Sequence, residues 1–562
     1  MPELKVYVRL LSDWTHGAGH RGEGADVATQ RDQAGRVLLR GTHLTGLLRE
    51  AVGEVLDALT VNAPAAAPIW QAWRQVLCGT ATQQGLLVMR TATAATADAV
   101  TSVLRPGIRI DPITGTAADD HLRHIERAGA TELISRVVLR DRDSLDRDWV
   151  WQPVALEAAW LITETALGLV EYVGGNRRRG AGQTHLELQR DRPGRPLGRR
   201  LADLAKKPVP PPVPRPRQTP RLIASAEPLS YIVAHVAVVP HQPLTLNAGV
   251  RSNVLLSHPY LTGTAVLKWL HWRMRDLAAT DEIVRDAVVS GALLAGNGYP
   301  TVDGEQCWPA PLTPAATDPY HHWVRHTQPF TVHEPVTTAL IPHNRIDPAT
   351  GRTLTEAGFY AVMALTPHTT FLAEIRIAEQ VAERLPPQWW LTLSGDADLG
   401  GKPGAAYGRC TMTVTLPDPA PPPPLTPDEG LLHVWLLSDL YLRGLGFAHA
   451  TVDDLVSALA VQGVGVSTPA DPDMWPMGTI RYRRIDSWTA NAPRPTLTTL
   501  AAGSVVSIPW NGAGTEELAQ IAATGLGERR AEGYGRLSLQ HPLTRDATRA
   551  FRPPAAPVGA VR

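Results

Sequence analysis

Cysteine, lysine and long apolar runs are all scarce in this 562-residue chain, and each scarcity narrows what the protein can be. The three cysteines (Cys78, Cys307 and Cys410) are far apart and form no CxxC motif, which argues against a disulfide framework and a structural zinc site. No run approaches the roughly eighteen uninterrupted apolar residues of a membrane helix, so no membrane partner is expected. The opening MPELKVYVRLLSDW lacks the apolar core of a signal peptide, and a cytoplasmic protein is expected.

The net charge is zero at pH 7, which gives no overall attraction to nucleic acid. Lysine occurs only at positions 5, 206, 207, 268 and 402, so arginine carries nearly all of the positive charge. GC-rich codon usage is a sufficient cause of this bias. Whatever the cause, the planar guanidinium group suits bidentate contacts to phosphate.

Two proline-rich stretches divide the chain. Residues 206–221 (KKPVPPPVPRPRQTPR) and 416–428 (LPDPAPPPPLTPD) are typical of stiff, extended spacers, because proline interrupts both sheet pairing and helices. The chain is also too long for a single hydrophobic core. The sequence therefore predicts block one (residues 1–205), block two (222–415) and block three (429–545), followed by a tail over 546–562.

A distinctive phrase occurs twice, as RIDPITGTAADD at 109–120 and as RIDPATGRTLTE at 345–356. Both copies lie in the same order of predicted features: an opening strand, a polar loop, a Gly-Thr pair that begins an amphipathic helix, the RIDP phrase and further strands. In block one Thr42 is the expected N-cap of that helix. The chain is therefore predicted to contain a duplicated unit.

Each block also closes on a glycine-rich, basic loop that leads into an alternating strand. The three loops are GGNRRRGAGQTHLEL (174–188), GGKPGAAYGRCTMTV (400–414) and GERRAEGYGRLSL (527–539). Glycine lets a phosphate approach the main-chain amides closely. One such loop is usually a tight turn, but three in corresponding positions favour a shared function.

These motifs, in this order, resemble the RAMP superfamily of CRISPR-associated proteins. Block one, with LLRGTHLTGLLRE, GIRIDPITGTAADDHLRHIE and its closing loop, is most similar to the backbone subunit of type III effector complexes; GEGADVATQRDQAGR places Asp26 six residues before Asp32, as that family does. Blocks two and three together resemble the handle-binding RAMP subunit of type III-D systems through YLTGTAVLKWL, YPTVDGEQCWPAP, HNRIDPATG and GERRAEGYGR. Block one departs from the pattern at AGATEL, which lacks the usual aromatic residue.

The resemblance implies an α+β fold of tandem ferredoxin-like RAMP domains, which are related to RNA-recognition domains. It also implies the partners: guide CRISPR RNA, complementary target RNA, and other type III subunits (the large polymerase-like subunit, a small subunit and further backbone subunits). The RIDP phrases would form the bases of hairpins that lie across the guide–target duplex. Judged by composition alone, the same phrases are ordinary turns.

RNA held along a protein surface needs phosphate contacts that ignore sequence, and glycine-rich loops and helix N-termini provide them. The expected RNA-binding residues are Gly41, Thr42, Arg49, Gly175, Arg177, Arg178, Arg179, Gly180, Gly182, Arg251, Arg529, Arg530, Gly533, Tyr534, Gly535 and Arg536. Alternatives stay open: the loops are also explained as solvated basic turns, Arg49 as an ion-pair partner, and Tyr534 as a packing residue.

The resemblance also carries a catalytic expectation. In the family one loop aspartate, with a divalent ion, cleaves target RNA through a ribose 2′-hydroxyl. The matching residue is Asp26, close to Gly22 and Gly24, with Mg²⁺ or Mn²⁺ as its metal. Asp13, His16 and His20 lie close in sequence and are either assisting or incidental. The corresponding stretch of block two, NAGVRSNVLLSHPY, has no aspartate, so blocks two and three are expected to hold the 5′ handle of the guide without cutting.

Two other functions remain open at this point. One is a non-catalytic scaffold subunit of the same complex. The other is a metal-independent endoribonuclease that processes guide RNA, with His20 or His258 as general acid or base.

Overall fold

The structure, a computed structural model, describes residues 3–17, 25–32, 34–80, 83–96, 100–108, 116, 123–141, 149–189, 195–215, 229–277, 281–311, 323–325, 332–344, 358–401, 406–417, 425–442, 451–468, 482–485 and 497–544. The chain forms two compact units. The first lies within residues 1–217 and the second is formed by residues 218–401 with 407–562.

The first unit contains four helices and ten strands among its described residues. In chain order they are β1 (Glu3–Leu10), β2 (Leu38–Leu39), α1 (Gly41–Asn62), α2 (Ala67–Cys78), β3 (Leu87–Met89), β4 (Ala92–Thr93), β5 (Ser102–Gly107), β6 (Arg123–Ala128), β7 (Glu132–Leu139), β8 (Trp149–Val150), α3 (Pro153–Gly168), β9 (Thr184–Leu188), α4 (Leu197–Lys206) and β10 (Val213–Pro214).

The main sheet of this unit has the order β2-β4-β7-β1-β9, with β3 also paired to β7. β1 is central and antiparallel to both β7 and β9. Alternation along β1 buries Val6, Val8 and Leu10, and the α1 stripe that includes Leu44 and Leu48 packs into the same core. The expected amphipathic helix is therefore present.

The predicted N-cap of α1 is wrong. The helix begins at Gly41, so that Arg40 occupies the cap position without any side-chain capping bond. Thr42 is exposed one residue inside the helix. The hydroxyl that meets this terminus comes instead from Thr91, whose Oγ1 accepts the N–H of Gly41 at 3.2 Å.

The second unit carries block two and block three. Its block-two elements are β11 (Tyr231–Pro240), β12 (Asn247–Arg251), β13 (Val254–Ser257), α5 (Gly263–Leu277), α6 (Asp281–Val289), β14 (Leu293–Ala295), β15 (Tyr299–Val302), β16 (Glu305–Pro309), β17 (Trp323–Arg325), β18 (Val332–His333), β19 (Thr338–Asn344), β20 (Phe359–Leu365), β21 (Phe371–Ala378), α7 (Glu379–Ala382), α8 (Trp389–Leu393), β22 (Gly395–Asp398) and β23 (Arg409–Thr415). Its block-three elements are β24 (Leu431–Leu436), α9 (Val452–Val461), β25 (Tyr482–Ile485), β26 (Leu497–Leu500), β27 (Val505–Pro509), α10 (Thr515–Thr524) and β28 (Leu537–Leu539).

The first strand of each block takes the same central place in its sheet. β11 lies between β21 and β23, and β24 lies between β27 and β28, as β1 lies between β7 and β9. All of these pairs are antiparallel. The block-two sheet has nine strands in the order β18-β17-β16-β15-β21-β11-β23-β22, with β14 also on β21. The expected α+β class is confirmed, because both units combine β-sheets with α-helices.

Apart from Thr116, the repeated RIDP phrases lie outside the described residues, but the strands on either side of each phrase pair with each other. β5 pairs with β6 over Ser102↔Ala128 to Gly107↔Arg123. β19 pairs with β20 over Thr338↔Leu365 to Asn344↔Phe359. Each phrase therefore connects the two strands of an antiparallel hairpin.

Blocks two and three share hydrophobic clusters within the second unit. One cluster joins Tyr299 and Trp323 to Ala502, and another joins Val324 to Trp435. The residues on both sides of the proline-rich stretch 416–428 therefore belong to one compact body. Within the described residues of the chain, no helix is long and apolar enough to cross a membrane.

Candidate nucleic-acid interface

The first glycine-rich loop is a tight backbone arch built on four left-handed residues. A 3₁₀ turn, Arg177–Arg179, is flanked by Asn176 (φ 58°) and Gly180 (φ 78°). Gly174 (φ 80°) and Gly182 (φ 76°) lie outside that pair. At Gly182 an added Cβ would overlap the carbonyl oxygen of Val173, so this position needs glycine for space as well as for φ.

The third loop repeats this arch position by position. A 3₁₀ turn, Arg530–Glu532, is flanked by Arg529 (φ 57°) and Gly533 (φ 91°). Gly527 and Gly535 are again left-handed and keep the spacing of the outer pair. In the middle loop Gly400 and Gly408 hold the outer positions.

The hydrogen bonds of the three arches repeat as well. In each arch the N–H of the second outer glycine donates to the carbonyl oxygen of the residue three places after the opening strand of the block. The carbonyl oxygen of the same glycine accepts the N–H of the residue just before the first outer glycine. The first bond joins Gly182 to Asp13 O (2.8 Å), Gly408 to Pro243 O (3.0 Å) and Gly535 to Asp439 O (2.9 Å). The second joins Val173 to Gly182 O (2.8 Å), Leu399 to Gly408 O (2.8 Å) and Leu526 to Gly535 O (2.9 Å). The glycine-rich arch is therefore present three times, once in each block, whereas the RIDP phrase occurs only twice.

The first arch exposes its cations. Arg177 and Arg179 are both solvent-exposed, and Arg178 lies between them in the same turn. The glycine N–H groups of the arch donate to intramolecular acceptors, so the exposed guanidinium groups are the donors that the arch offers to a phosphate. The arch is anchored from α1, because Nε2 of His43 accepts the N–H of Gly174 at 2.8 Å.

Burial and positive neighbours keep two histidines beneath the arch neutral. Burial, and then Arg177, lower the pKa of His43 to about 4. Burial, and then His43 and Arg40, lower the pKa of His16 to about 3. The two rings lie 5.2 Å apart between centroids. His16 is therefore unprotonated at neutral pH and unsuited to act as a general acid.

Arg49 supports the fold of the first unit. Its Nη2 donates to the carbonyl oxygen of Leu87 at 3.1 Å, and burial lowers the pKa of its guanidinium. The guanidinium thus links α1 to β3. This contact is intramolecular, and the phosphate contact expected of Arg49 stays a prediction.

Arg177 also lines an open groove of about 470 Å³ beside α1 and the end of α3. The groove carries three carboxylates, on Glu50, Glu54 and Glu171. No ion pair involves any of the three within the described part of the chain. Like charges would repel a phosphate from this groove.

Asp26 is held against the hairpin strand β6. Its N–H donates to the carbonyl oxygen of His124 at 2.8 Å, and its Oδ2 accepts the N–H of His124 at 2.8 Å. Asp13, the other acid considered in this region, pairs with Arg127 at 3.1 Å and Arg105 at 3.6 Å. Asp13 is thus used to hold the same hairpin.

The third arch is engaged inside the second unit. Nη1 of Arg536 donates to Ala523 O at 2.9 Å, and its Nη2 lies 3.2 Å from Glu374 Oε2 on β21. Arg530 donates to Thr524 Oγ1 at 3.3 Å. Arg529 lies 3.8 Å from Glu532. These three arginines have intramolecular partners that Arg177 and Arg179 lack within the described residues, and the RNA contacts expected of them stay predictions.

The third arch also covers the start of α5. A Cβ on Gly263 would overlap the backbone of Glu532, and Gly263 N donates to Asn297 Oδ1 at 2.7 Å. This Gly-Thr pair is therefore a packing contact. Tyr534 is half-buried, and burial raises its pKa, so its ring packs within the second unit.

The remaining candidates of block two are dispersed. Arg251 is exposed at the end of β12. Arg409 of the middle loop pairs with Asp396 at 2.7 Å. The ring of His258 lies 5.2 Å from that of Tyr260. Gly22, Gly24, His20 and Lys402 lie outside the described residues.

Sequence reasoning missed a contact between Glu126 and the segment that follows Asp26. Glu126 on β6 accepts the N–H of Thr29 and a bond from Arg31, each at 2.8 Å. Glu126 lies in RHIERA, an ordinary half-exposed strand in which nothing distinguishes it from the other charged residues. Its partners are almost a hundred residues away in sequence, so no local pattern marks the contact.

The chain has distant structural likenesses to known proteins. No family model matches the chain, and no curated protein matches it. The chain is similar to a chain of the type III-B Cmr-beta complex bound to cognate target RNA and AMPPnP, at 11% identity and a TM-score of 0.31, over 49% of this chain and 86% of that one. It is also similar to a chain of the apo type III-B Cmr-beta structure, at 12% identity and a TM-score of 0.24, over 34% of this chain and 98% of that one.

Proposed function

We propose that this chain is a subunit of a type III CRISPR RNA-guided effector complex. Block one grips the guide RNA, and blocks two and three hold its 5′ handle. The observation that carries the proposal is the triplicated arch, because the first copy combines left-handed glycines with two exposed arginines. Such a loop binds a sugar–phosphate chain without reading its sequence.

The sheet orders support tandem ferredoxin-like domains. In the first unit four neighbouring strands lie in the order β9-β1-β7-β4. They correspond to the last, first, third and second strands of a β-α-β-β-α-β unit. Block two repeats the order as β23-β11-β21-β15. A β-α-β-β-α-β unit with this order is the fold of RNA-recognition domains. The ordered motifs of the sequence add the RAMP assignment.

Asp26 is the proposed catalytic residue for cleavage of complementary target RNA. A carboxylate oxygen is the type of ligand that Mg²⁺ or Mn²⁺ prefers. Within the described residues no group of three His, Cys, Asp or Glu side chains is placed to hold a metal. Asp26 would hold such an ion together with RNA phosphate oxygens and water, and the ion would offset negative charge at the scissile phosphate. The bond from His124 N fixes one carboxylate oxygen and so orients the other.

Block two lacks this acid. Val254 and Leu255 run parallel to β20 just as Val27 runs parallel to β6, and the residue before them is Asn253. An amide carries no charge to attract a divalent ion. Block two is therefore proposed to bind RNA without cutting it.

A non-catalytic scaffold is the second candidate. One observation favours it: the Asp26 carboxylate already accepts a backbone hydrogen bond, which is sufficient reason for an aspartate at this position. Asp26→Asn separates the two roles, because the amide oxygen still accepts from His124 N but the charge is lost. Cleavage of complementary RNA with Mg²⁺ that disappears in D26N, with guide binding retained, supports the catalytic role. Equal cleavage by D26N removes Asp26 from the reaction.

The class of partner is tested by purifying the full-length protein from its host and sequencing the RNA that accompanies it. The proposal expects short RNAs that share a 5′ fragment derived from the CRISPR repeat. Material that is free of nucleic acid, and that does not bind repeat-derived RNA at low ionic strength, would contradict it. Cleavage of repeat RNA in EDTA would instead indicate the guide-processing function, with His258 or His20 as the candidate.

A further inference from the structure

Residues 26 and 27 are bonded to the backbone of β6. Val27 forms a parallel bridge with Ile125, and Glu126 N donates to Val27 O at 2.9 Å. Together with the two bonds between Asp26 and His124, this bridge fixes the start of the segment 26–31 on the hairpin. Asp26 is thus positioned by β6.

The side chain of Glu126 fixes the far end of this segment. Its Oε2 accepts the N–H of Thr29 at 2.8 Å, and its Oε1 accepts from Arg31 Nη2 at 2.8 Å. Thr29 Oγ1 donates to the carbonyl oxygen of Glu126 at 2.8 Å, and Arg31 Nη2 also donates to Ser102 Oγ on β5 at 2.8 Å. The pair Arg31–Glu126 therefore ties the segment to both strands of the hairpin.

The surroundings of this ion pair strengthen it. The side chains of Arg31 and Glu126 are 34% and 18% exposed, so solvent screens them less than a surface pair. Burial alone would raise the pKa of Glu126, but hydrogen bonds from Arg31, from Thr29 N–H and from Ser102 outweigh it and lower that pKa. Glu126 therefore stays ionised at neutral pH.

His124 and Glu126 are two residues apart on β6. His124 holds Asp26 through its backbone N–H and C=O, and Glu126 holds Thr29 and Arg31 through its carboxylate. We propose that Arg31 and Glu126 form a latch that positions Asp26 for the cleavage of target RNA. Both are positioning residues, and the inference rests on the cleavage role proposed for Asp26.

Block two shows the same backbone pairing without the latch. Val254 and Leu255 pair in parallel with Ala361 and Val362 of β20. In the register that matches Val254 to Val27 and Asn253 to Asp26, Val362 occupies the place that Glu126 has on β6, and Met363 follows it. Both side chains are apolar, so β20 carries no carboxylate there. The latch carboxylate is therefore present where the loop carries an aspartate and absent where it does not. This difference fits a role tied to Asp26, because backbone pairing alone holds the block-two segment.

The test measures single-turnover cleavage of complementary RNA by guide-loaded, full-length protein. Glu126→Gln and Arg31→Ala are each expected to lower the rate at least about tenfold, because small displacements of a reacting group are costly. The affinity for target RNA stays unchanged. Arg31→Lys, which keeps the charge, recovers the rate to within a few-fold. The double variant R31A/E126Q is no slower than either single variant, because the two residues act as one unit.

Glu132→Gln is the matched control, since its pair with Arg9 is solvent-exposed and lies on β7 away from Asp26. E132Q is expected to cleave at the wild-type rate. If E126Q and R31A also cleave at the wild-type rate while D26N is inactive, the latch is wrong and the proposed function stands. If the rates of E126Q, R31A and R31K fall only in step with their thermal unfolding midpoints, the pair is merely structural and the proposal is overturned. Cleavage by D26N overturns the proposed function and the latch together.

Discussion

Asp26 and His124 exchange two hydrogen bonds. The N–H of Asp26 donates to the carbonyl oxygen of His124 at 2.8 Å, and the N–H of His124 donates to Oδ2 of Asp26 at 2.8 Å. Ninety-eight residues separate the two in sequence. A polar loop thereby becomes part of the β5–β6 hairpin, and its acid is held at a defined place. If the hairpin lies on the guide–target duplex as proposed, the acid is held beside it.

Gly182 should be intolerant of any side chain. A Cβ there would overlap Val173 O, and its φ of 76° is strained for other residues. Gly182→Ala is expected to destabilise the protein by about 1–3 kcal/mol. The free energy of unfolding, measured with denaturant, tests this. Gly198→Ala is the control, because an added Cβ on this α4 residue meets nothing within 4 Å and alanine favours helix. Equal stability of G182A and wild type would contradict the arch geometry.

Glu374 should be essential to the second unit, because the guanidinium groups of Arg376 and Arg536 share its carboxylate. Glu374→Ala leaves two partly buried cations without a counter-charge, and is expected to cost about 3–5 kcal/mol. Glu383→Ala, at an exposed position of the same block, is the control. Thermal unfolding of both variants gives the comparison. Equal unfolding midpoints in E374A and E383A would mean that the cluster of Glu374, Arg376 and Arg536 contributes little to stability.

The same cluster predicts a pH dependence. Burial would raise the pKa of Glu374, but Arg536 and Arg376 outweigh it and the pKa is lowered. The folded protein thus favours the ionised form, so the stabilisation is present at neutral pH and is lost as pH falls through the folded-state pKa. The stability difference between wild type and E374A should shrink at acid pH. A difference that stays constant between pH 7 and pH 3 would refute the charge argument.

The buried histidine pair predicts a second acid effect in the first unit. The folded protein keeps His43 and His16 neutral down to pH values of about 4 and 3, whereas the unfolded chain binds protons near pH 6.5. Stability should therefore fall as pH drops from about 6.5 towards 4. His43→Gln, whose amide oxygen still accepts from Gly174, should weaken this dependence. The exposed His185→Gln should leave it unchanged, and a dependence that is identical in all three proteins would exclude the pair as its source.

Much of the fold was predictable where a physical constraint acts locally. The left-handed positions Gly182 and Gly535 require glycine, so the arches are visible in the sequence as repeated glycine spacing. The apolar stripe of α1 and the alternation of β1 follow in the same way from periodicity. The wrong N-cap has a specific cause: Thr42 is a good capping residue, but Thr91 supplies the hydroxyl to the helix start from another segment.

The contacts that decide the site were not predictable, because they join distant segments. Nothing in RHIERA indicates that Glu126 bonds to Thr29 and Arg31. In the same way, GERRAEGYGR gives no sign that Arg536 is paired with Glu374 while Arg177 is exposed. The arches are alike in backbone, and only their packing surroundings separate a covered loop from an open one.

The most direct test of the central claim is the affinity of repeat-derived RNA for the full-length protein at several salt concentrations. Arg177→Ala/Arg179→Ala should weaken binding at least about tenfold and reduce the slope of log K against log salt by about 1.4, because two phosphate contacts are lost. Arg195→Ala/Arg199→Ala, with Arg195 just before α4 and Arg199 within it, removes the same charge away from the arch and should leave both quantities near wild type. Equal affinity and slope in the wild type and the R177A/R179A variant would show that the first arch does not hold the guide.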